Sequence, residues 1–93
     1  MTNSKIASYV GFAQRSGKVL YGEDRICEKL KLCHVVLADS AASDKFRERL
    51  QYKCKGTPYF EVDSLNAATH RDNVKAIGIT DAELAGAIIN LLR

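Results

Sequence analysis

No apolar run in this sequence approaches the length that a membrane span requires. Runs such as residues 35–38 and 85–89 hold only a few residues, whereas a transmembrane helix needs roughly 20. Residues 1–5 lead directly into an amphipathic pattern, without the apolar segment and small-residue cleavage site of a signal peptide. We therefore expect a protein that stays in the cytoplasm and enters no membrane.

Cysteine is scarce and shows no paired spacing. Cys27, Cys33 and Cys54 are odd in number, and none of them belongs to a Cys-x-x-Cys motif or stands near a pair of histidines. This pattern fits neither a disulfide framework nor a zinc site. Since free cysteine is often buried, we predict three reduced thiols in the core or at its boundary.

The sequence also lacks a recognisable catalytic constellation. Residues 17–22 have the spacing of a phosphate-binding loop, but Glu23 and Asp24 follow where that loop carries lysine and serine or threonine. Local sequence ties neither His34 nor His70 to a nucleophile, and the carboxylates stand singly or at helix starts. We predict no enzymatic activity, no metal and no cofactor.

What the sequence does contain is a regular alternation of helical and strand patterns. Helices are predicted to begin near Ser4, Gly22, Ser43, Ser64 and Thr80, and strands to lie at residues 19–21, 34–38, 59–62 and 74–79. Strands that alternate with helices are usually buried on both faces of one sheet. We predict a single domain over residues 1–93 of the α/β class, a three-layer α/β/α sandwich with a mixed sheet of about four strands.

Short polar residues mark the predicted helix starts. Ser43 is placed to cap the third helix, and residues 63–64 to cap a short fourth helix. Thr80 and Glu83 have the spacing of a capping box, in which each side chain bonds the backbone N–H of the other. In the second helix, the inner face is predicted to consist of Ile26, Cys27, Leu30 and Cys33.

Positive charge is concentrated in the first part of the chain. Residues 1–55 hold eleven Lys and Arg against six Asp and Glu, whereas residues 56–93 hold three against five. The basic side chains of the third helix are interrupted by Asp44 and Glu48, which indicates a solvated face. A second basic group surrounds the start of the second helix, where both plain capping and anion binding fit the pattern: Lys18, Gly22, Asp24, Arg25 and Lys29.

The order of several short segments resembles one known family. They are Gly-Phe-Ala-Gln-Arg-Ser-Gly-Lys at 11–18, Gly-Glu-Asp at 22–24, Val-Val-Leu-Ala-Asp at 35–39, Leu65 with Ala68, and residues 74–81. Together they resemble the ribosomal protein L-seven-Ae and L-thirty-e family of kink-turn RNA-binding proteins, especially its bacterial YlxQ-like branch. The resemblance covers nearly the whole chain and implies the same three-layer fold.

The resemblance also implies a function and a site. The start of the second helix would meet the bent backbone of a kink-turn and its sheared G·A pairs, and residues 69–73 would flank the extruded nucleotide. Lys18 and Arg25 would contact phosphates, and Asp24 would accept a hydrogen bond from a guanine edge. The implied RNA-binding residues are Lys18, Gly22, Glu23, Asp24, Arg25, Lys29, Asp39, Thr69, His70 and Arg71.

The sequence departs from the family pattern inside this site. Asp24 and Arg25 stand where the family has Asn-Glu, Glu28 stands where lysine is common, and Asn66 and His70 replace two glycines.

Two functions follow as alternatives. One is a monomeric, ribosome-associated protein that binds a structured RNA and has ribosomal or translation proteins as further candidate partners. The other is a non-catalytic protein-interaction module of the translation apparatus that has lost kink-turn binding and uses a surface such as the third helix.

Overall fold

A computed structural model describes residues 4–93 and contains helices and strands in the predicted order. The helices are α1 (Ser4–Arg15), α2 (Glu23–Glu28), α3 (Asp44–Lys53), α4 (Leu65–Thr69) and α5 (Ala82–Leu92), with a single 3-10 turn at Leu30–Leu32. The strands are β1 (Val19–Tyr21), β2 (Val35–Asp39), β3 (Tyr59–Val62) and β4 (Ala76–Ile79).

The four strands form one mixed sheet in the order β1-β4-β2-β3. Strand β4 runs antiparallel to β1 and to β2, while β2 and β3 are parallel. The two central strands carry the most apolar sequences, so β4 and residues 35–38 of β2 are completely buried. The predicted mixed sheet of about four strands is confirmed.

Alternate residues of the central strands face two separate core layers, as strand geometry requires. One layer packs with α1, α4 and α5 and contains Val35, Leu37, Ile77 and Ile79. The other packs with α2 and α3 and contains Val36, Ala38 and Ala76. At Gly78 a side chain has no room, because an added Cβ would lie 2.7 Å from Cys33 Sγ. The two layers confirm the predicted three-layer sandwich.

Several helices and strands are shorter in the structure than the sequence predicts. Helix α2 ends at Glu28, and Lys29 leaves the helical conformation with φ of −119°. His34 is exposed and precedes β2, and β4 begins at Ala76 rather than at Val74. In the second helix, Ile26 and Cys33 are buried as predicted, while Cys27 and Leu30 are only partly buried.

The predicted helix caps are right at one position and wrong at two. Ser43 Oγ accepts a hydrogen bond from the Phe46 N–H at 3.1 Å and caps α3. Helix α5 is capped by Asp81 instead of Thr80, since Asp81 Oδ1 accepts from Glu83 N and Leu84 N. Ser64 precedes α4 in a left-handed conformation and makes no side-chain capping bond.

The described part of the chain has two further features that bear on function. No helix in residues 4–93 is both long enough and apolar enough to span a membrane. The three cysteines are free: Cys33 and Cys54 lie in the core layer beside α2 and α3, and Cys27 is partly exposed.

Candidate nucleic-acid interface

Strand direction brings most of the predicted site to one edge of the sheet. Strands β1, β2 and β3 all end there and β4 begins there, so we name it the carboxyl edge. Gly22 N donates to Ala76 O at 3.1 Å, and Asp39 N donates to Lys75 O at 2.8 Å. The start of α2, the end of β2 and the segment before β4 therefore lie side by side. In α/β proteins this kind of edge is the usual place for a binding site.

Gly22 makes the turn from β1 into α2. Its φ of +86° lies in the region that glycine adopts at little cost. An added Cβ would meet no atom within 4 Å, so the backbone conformation, and not a lack of space, requires glycine here. Asp24 and Arg25, in the first turn of α2, both have exposed side chains.

Glu23 faces α3. Its carboxylate receives two hydrogen bonds from the Arg49 guanidinium, at 2.7 and 2.9 Å, and lies 3.2 Å from Lys53 Nζ. The Arg49 hydrogen bonds, supported by Lys53, lower the pKa of Glu23 from 4.5 to about 2 against the opposing effect of burial. Glu23 therefore holds α2 against α3 and places the start of α2.

Asp39 is likewise occupied by backbone groups. Its Oδ1 accepts from Ala41 N at 2.8 Å, and its Oδ2 accepts from Leu65 N at 3.1 Å. The second bond satisfies an N–H at the start of α4 that Ser64 leaves unbonded. The Asp39 side chain thus joins the end of β2 to α4.

The segment from Thr69 to Asn73 is fixed from both sides. Thr69 is buried, its Oγ1 donates to Leu65 O at 2.9 Å, and its carbonyl accepts from Gln14 Nε2 at 2.7 Å. At the other end Asn66 Oδ1 accepts from Val74 N at 2.7 Å. His70 and Asn73 both have left-handed backbones, with φ of 55° and 60°.

Arg71 is positioned by an aromatic ring. Its guanidinium carbon lies 3.9 Å from the centroid of the Tyr21 ring, and the Tyr21 hydroxyl accepts from Gln14 Nε2 at 2.9 Å. Stacking of this kind holds a guanidinium in place and leaves its other face open. Sequence reasoning identified Arg71 but missed Tyr21 and Gln14, because these partners lie 50 or more residues away from it in the chain.

A groove of about 190 Å³ opens at the carboxyl edge. It lies between the turn that follows β2 and the segment that precedes β4. Its lining combines polar and small residues and consists of Asp39, Ala41, Ala42, Asn66, Asn73, Val74 and Lys75. Sequence reasoning did not identify Lys75, which has its ammonium 5.9 Å from the centre of the Phe46 ring.

Two predicted site residues lie away from the start of α2. Lys18 precedes β1 at the opposite edge of the sheet, where its carbonyl accepts from Thr80 N at 2.9 Å. Lys29 stands at the C-terminal end of α2. The structure therefore groups Gly22 to Arg25, Asp39 and Thr69 to Arg71, but not Lys18 or Lys29.

At the carboxyl edge, the basic and acidic side chains differ in whether they have partners within the protein. Within residues 4–93, neither Arg25, Arg71 nor Lys75 has a carboxylate within 4 Å, whereas Glu23 and Asp39 are bonded internally. On α3, by contrast, Arg47 pairs with Glu61 and Asp44. No group of three or more His, Cys, Asp or Glu in the described residues could hold a metal ion.

No protein-family model and no curated protein matches this chain. Among solved structures, a protein of unknown function from Bacillus halodurans superposes with a TM-score of 0.88 at 24% sequence identity. The match covers 97% of this chain and 98% of that one. At this level of identity the similarity supports the fold alone.

Proposed function

We propose that this protein binds a bent, structured RNA through the carboxyl edge of its sheet. The observation that carries the proposal is the division of charge at this edge. Its cations Arg25, Arg71 and Lys75 have no acidic partner in the described residues, whereas two of its carboxylates, Glu23 and Asp39, are held by internal hydrogen bonds and a third, Asp24, is exposed. A surface whose positive groups remain unpaired attracts phosphates.

The arginine on Tyr21 favours RNA over a simple anion. Because the Tyr21 ring covers one face of the Arg71 guanidinium at 3.9 Å, the other face is available to an unpaired base. A guanidinium that already stacks on a ring loses less rotamer entropy on binding than one without such a contact. Arg25, on the exposed side of α2, would contact the backbone of the same RNA.

The groove at the carboxyl edge has suitable chemistry for an extruded nucleotide. The amide nitrogen of Asn66 remains available, because Val74 N uses only its oxygen. Asn73 and Lys75 add polar and cationic groups to the lining. Unpaired bases are commonly recognised through such amide and charged groups.

The resemblance to the kink-turn RNA-binding family points to the same surface. His70 replaces a family glycine, yet its φ of 55° is one that glycine adopts readily. We infer that the substitution adds a side chain at the surface without redirecting the backbone of the segment. Asp24 remains the least favourable residue, since it places an exposed carboxylate near the expected phosphates.

The test is a salt titration of binding to a kink-turn RNA and to a straight duplex of equal length. We expect tighter binding to the bent RNA. In the Arg25→Ala, Arg71→Ala variant we expect weaker binding and a log–log salt slope smaller by about two. The matched control is Lys31→Ala, Lys55→Ala, which removes the same charge from two exposed residues that follow α2 and α3 at the far edge. Equal binding of the two RNAs, or equal losses in the two variants, would contradict the proposal.

The alternative function is a protein contact through α3. Tyr52 is 78% exposed on this helix, beside Glu48, Gln51 and Lys55. A large exposed aromatic side chain is more typical of protein interfaces than of solvated helix faces. Absence of any preference for bent RNA at low salt would favour this second reading.

A further inference from the structure

A second groove, of about 290 Å³, lies beside α1 and adjoins the surface described above. The residues that line it are Ala7, Ser8, Gly11, Phe12, Arg15 and His70. Phe12 is 48% exposed, and the Arg15 guanidinium carbon lies 4.8 Å from the centroid of its ring. The groove thus combines an exposed aromatic ring with an arginine and a histidine, and none of its lining residues is acidic.

Gly11 is unexplained by the packing of α1. Glycine weakens the interior of a helix relative to alanine. The backbone of Gly11 does not have a positive φ, and an added Cβ would meet only Arg15 Nη1, at an ordinary 3.6 Å. Alanine would therefore fit without strain. What glycine does provide is an open groove floor next to Phe12.

The groove is continuous with the proposed RNA surface. His70 lines the groove, and the next residue, Arg71, stacks on Tyr21. Gln14, from the same helix as Phe12, bonds both the Thr69 carbonyl and the Tyr21 hydroxyl. These bonds fix the groove and the Arg71 site relative to each other.

We infer that this groove takes an unpaired nucleobase of the bound RNA, stacked on Phe12 with its phosphate near Arg15 and His70. The inference rests on the proposed function and adds to it a second contact, to a single-stranded nucleotide outside the bend. Aromatic rings next to arginines are typical of single-strand binding, because every base has a π-face to stack. A lining that contains Arg15 and no acidic residue favours a polyanion over a peptide segment.

The test compares a blunt kink-turn RNA with the same RNA extended by unpaired adenosines at its ends. We expect the extended RNA to bind roughly tenfold more tightly, a typical gain for one stacked base. Phe12→Ala should abolish this difference, while Phe12→Tyr should keep it. Gly11→Ala should reduce the difference and yet raise the melting temperature, which separates loss of the groove from loss of folding.

The outcomes separate this inference from the proposal on which it rests. If both RNAs bind equally and Phe12→Ala changes neither, the bend is recognised but no base occupies the groove, and the inference is wrong. If neither RNA binds even at low salt, the proposed function fails and the inference falls with it. A difference that persists in Phe12→Ala would place the unpaired nucleotides elsewhere on the protein.

Discussion

Glu23 is the residue whose ionisation holds α2 against α3. Its pKa is lowered in the folded protein to about 2, from an ordinary value of 4.5. A lowered pKa stabilises the fold fully above the unfolded value, and the contribution is lost as the pH falls from about 4.5 towards 2. Arg49 and Lys53 are about half exposed, so after allowance for solvent screening we expect the ion pairs to contribute about 1–2 kcal/mol at pH 7.

The prediction for Glu23 is therefore a pH-dependent loss of stability. Glu23→Gln should lower the free energy of unfolding by that amount at pH 7, and the difference from the wild type should shrink steadily below pH 4.5. Urea denaturation between pH 7 and pH 3 measures it. Glu48→Gln is the control and should change little at any pH, because Glu48 is exposed on α3 and has no ion pair within residues 4–93. A pH-independent difference would indicate lost packing instead of lost charge.

His70 carries a conformational cost that a glycine at this position would avoid. A non-glycine residue in the left-handed region costs roughly 1 kcal/mol or more, and the φ of His70 is 55°. His70→Gly should therefore raise the free energy of unfolding by about 0.5–1 kcal/mol. Ala67→Gly, in the ordinary helical turn just before it, should lower the stability by a similar amount. Thermal melts of the two variants, moving in opposite directions, would verify the backbone conformation; a destabilised His70→Gly would contradict it.

At the scale of the element, helix α4 depends on a carboxylate from strand β2. Asp39 supplies the acceptor for Leu65 N, whereas Ser64 makes no capping bond. Asp39→Ala should lower the free energy of unfolding by about 1–3 kcal/mol, because it leaves two backbone N–H groups without a partner. Ser64→Ala should stay within about 0.5 kcal/mol of the wild type. Equal effects in urea denaturation would mean that Ser64 does cap the helix.

The caps of α3, α4 and α5 show which structural features can be predicted from the sequence and which cannot. The elements and their order follow from local apolar periodicity, and Ser43 caps α3 because a cap of that kind needs only its own next three residues. The cap of α4 comes from a residue 26 positions away. At α5 two adjacent residues, Thr80 and Asp81, both fit a cap pattern, and only the backbone geometry favours Asp81.

The candidate site has the same dependence on distant partners. The family resemblance implied Glu23 as an RNA-binding residue. In the structure its carboxylate is bonded through both oxygens to Arg49, which is 26 residues away. Arg71 acquires its orientation from Tyr21, on a strand 50 residues earlier. Residue types at a site can be read from the sequence, but whether each is free to bind a ligand depends on tertiary contacts.

At the scale of the whole molecule, the two core layers share the β2–β4 centre of the sheet and should unfold together. The three thiols report on this. Burial raises the pKa of Cys33, and that of Cys54 to about 11, so both are poor nucleophiles in the folded state, while Cys27 is partly exposed.

We expect one thiol to react with a disulfide reagent in native buffer and two to react only through opening. Cys27→Ser should remove the fast phase alone. If the two layers unfold as one unit, the rate at which the two buried thiols react will rise with urea concentration in parallel with the unfolding equilibrium constant. If that rate does not depend on urea, α2 and α3 open separately from the rest of the sheet.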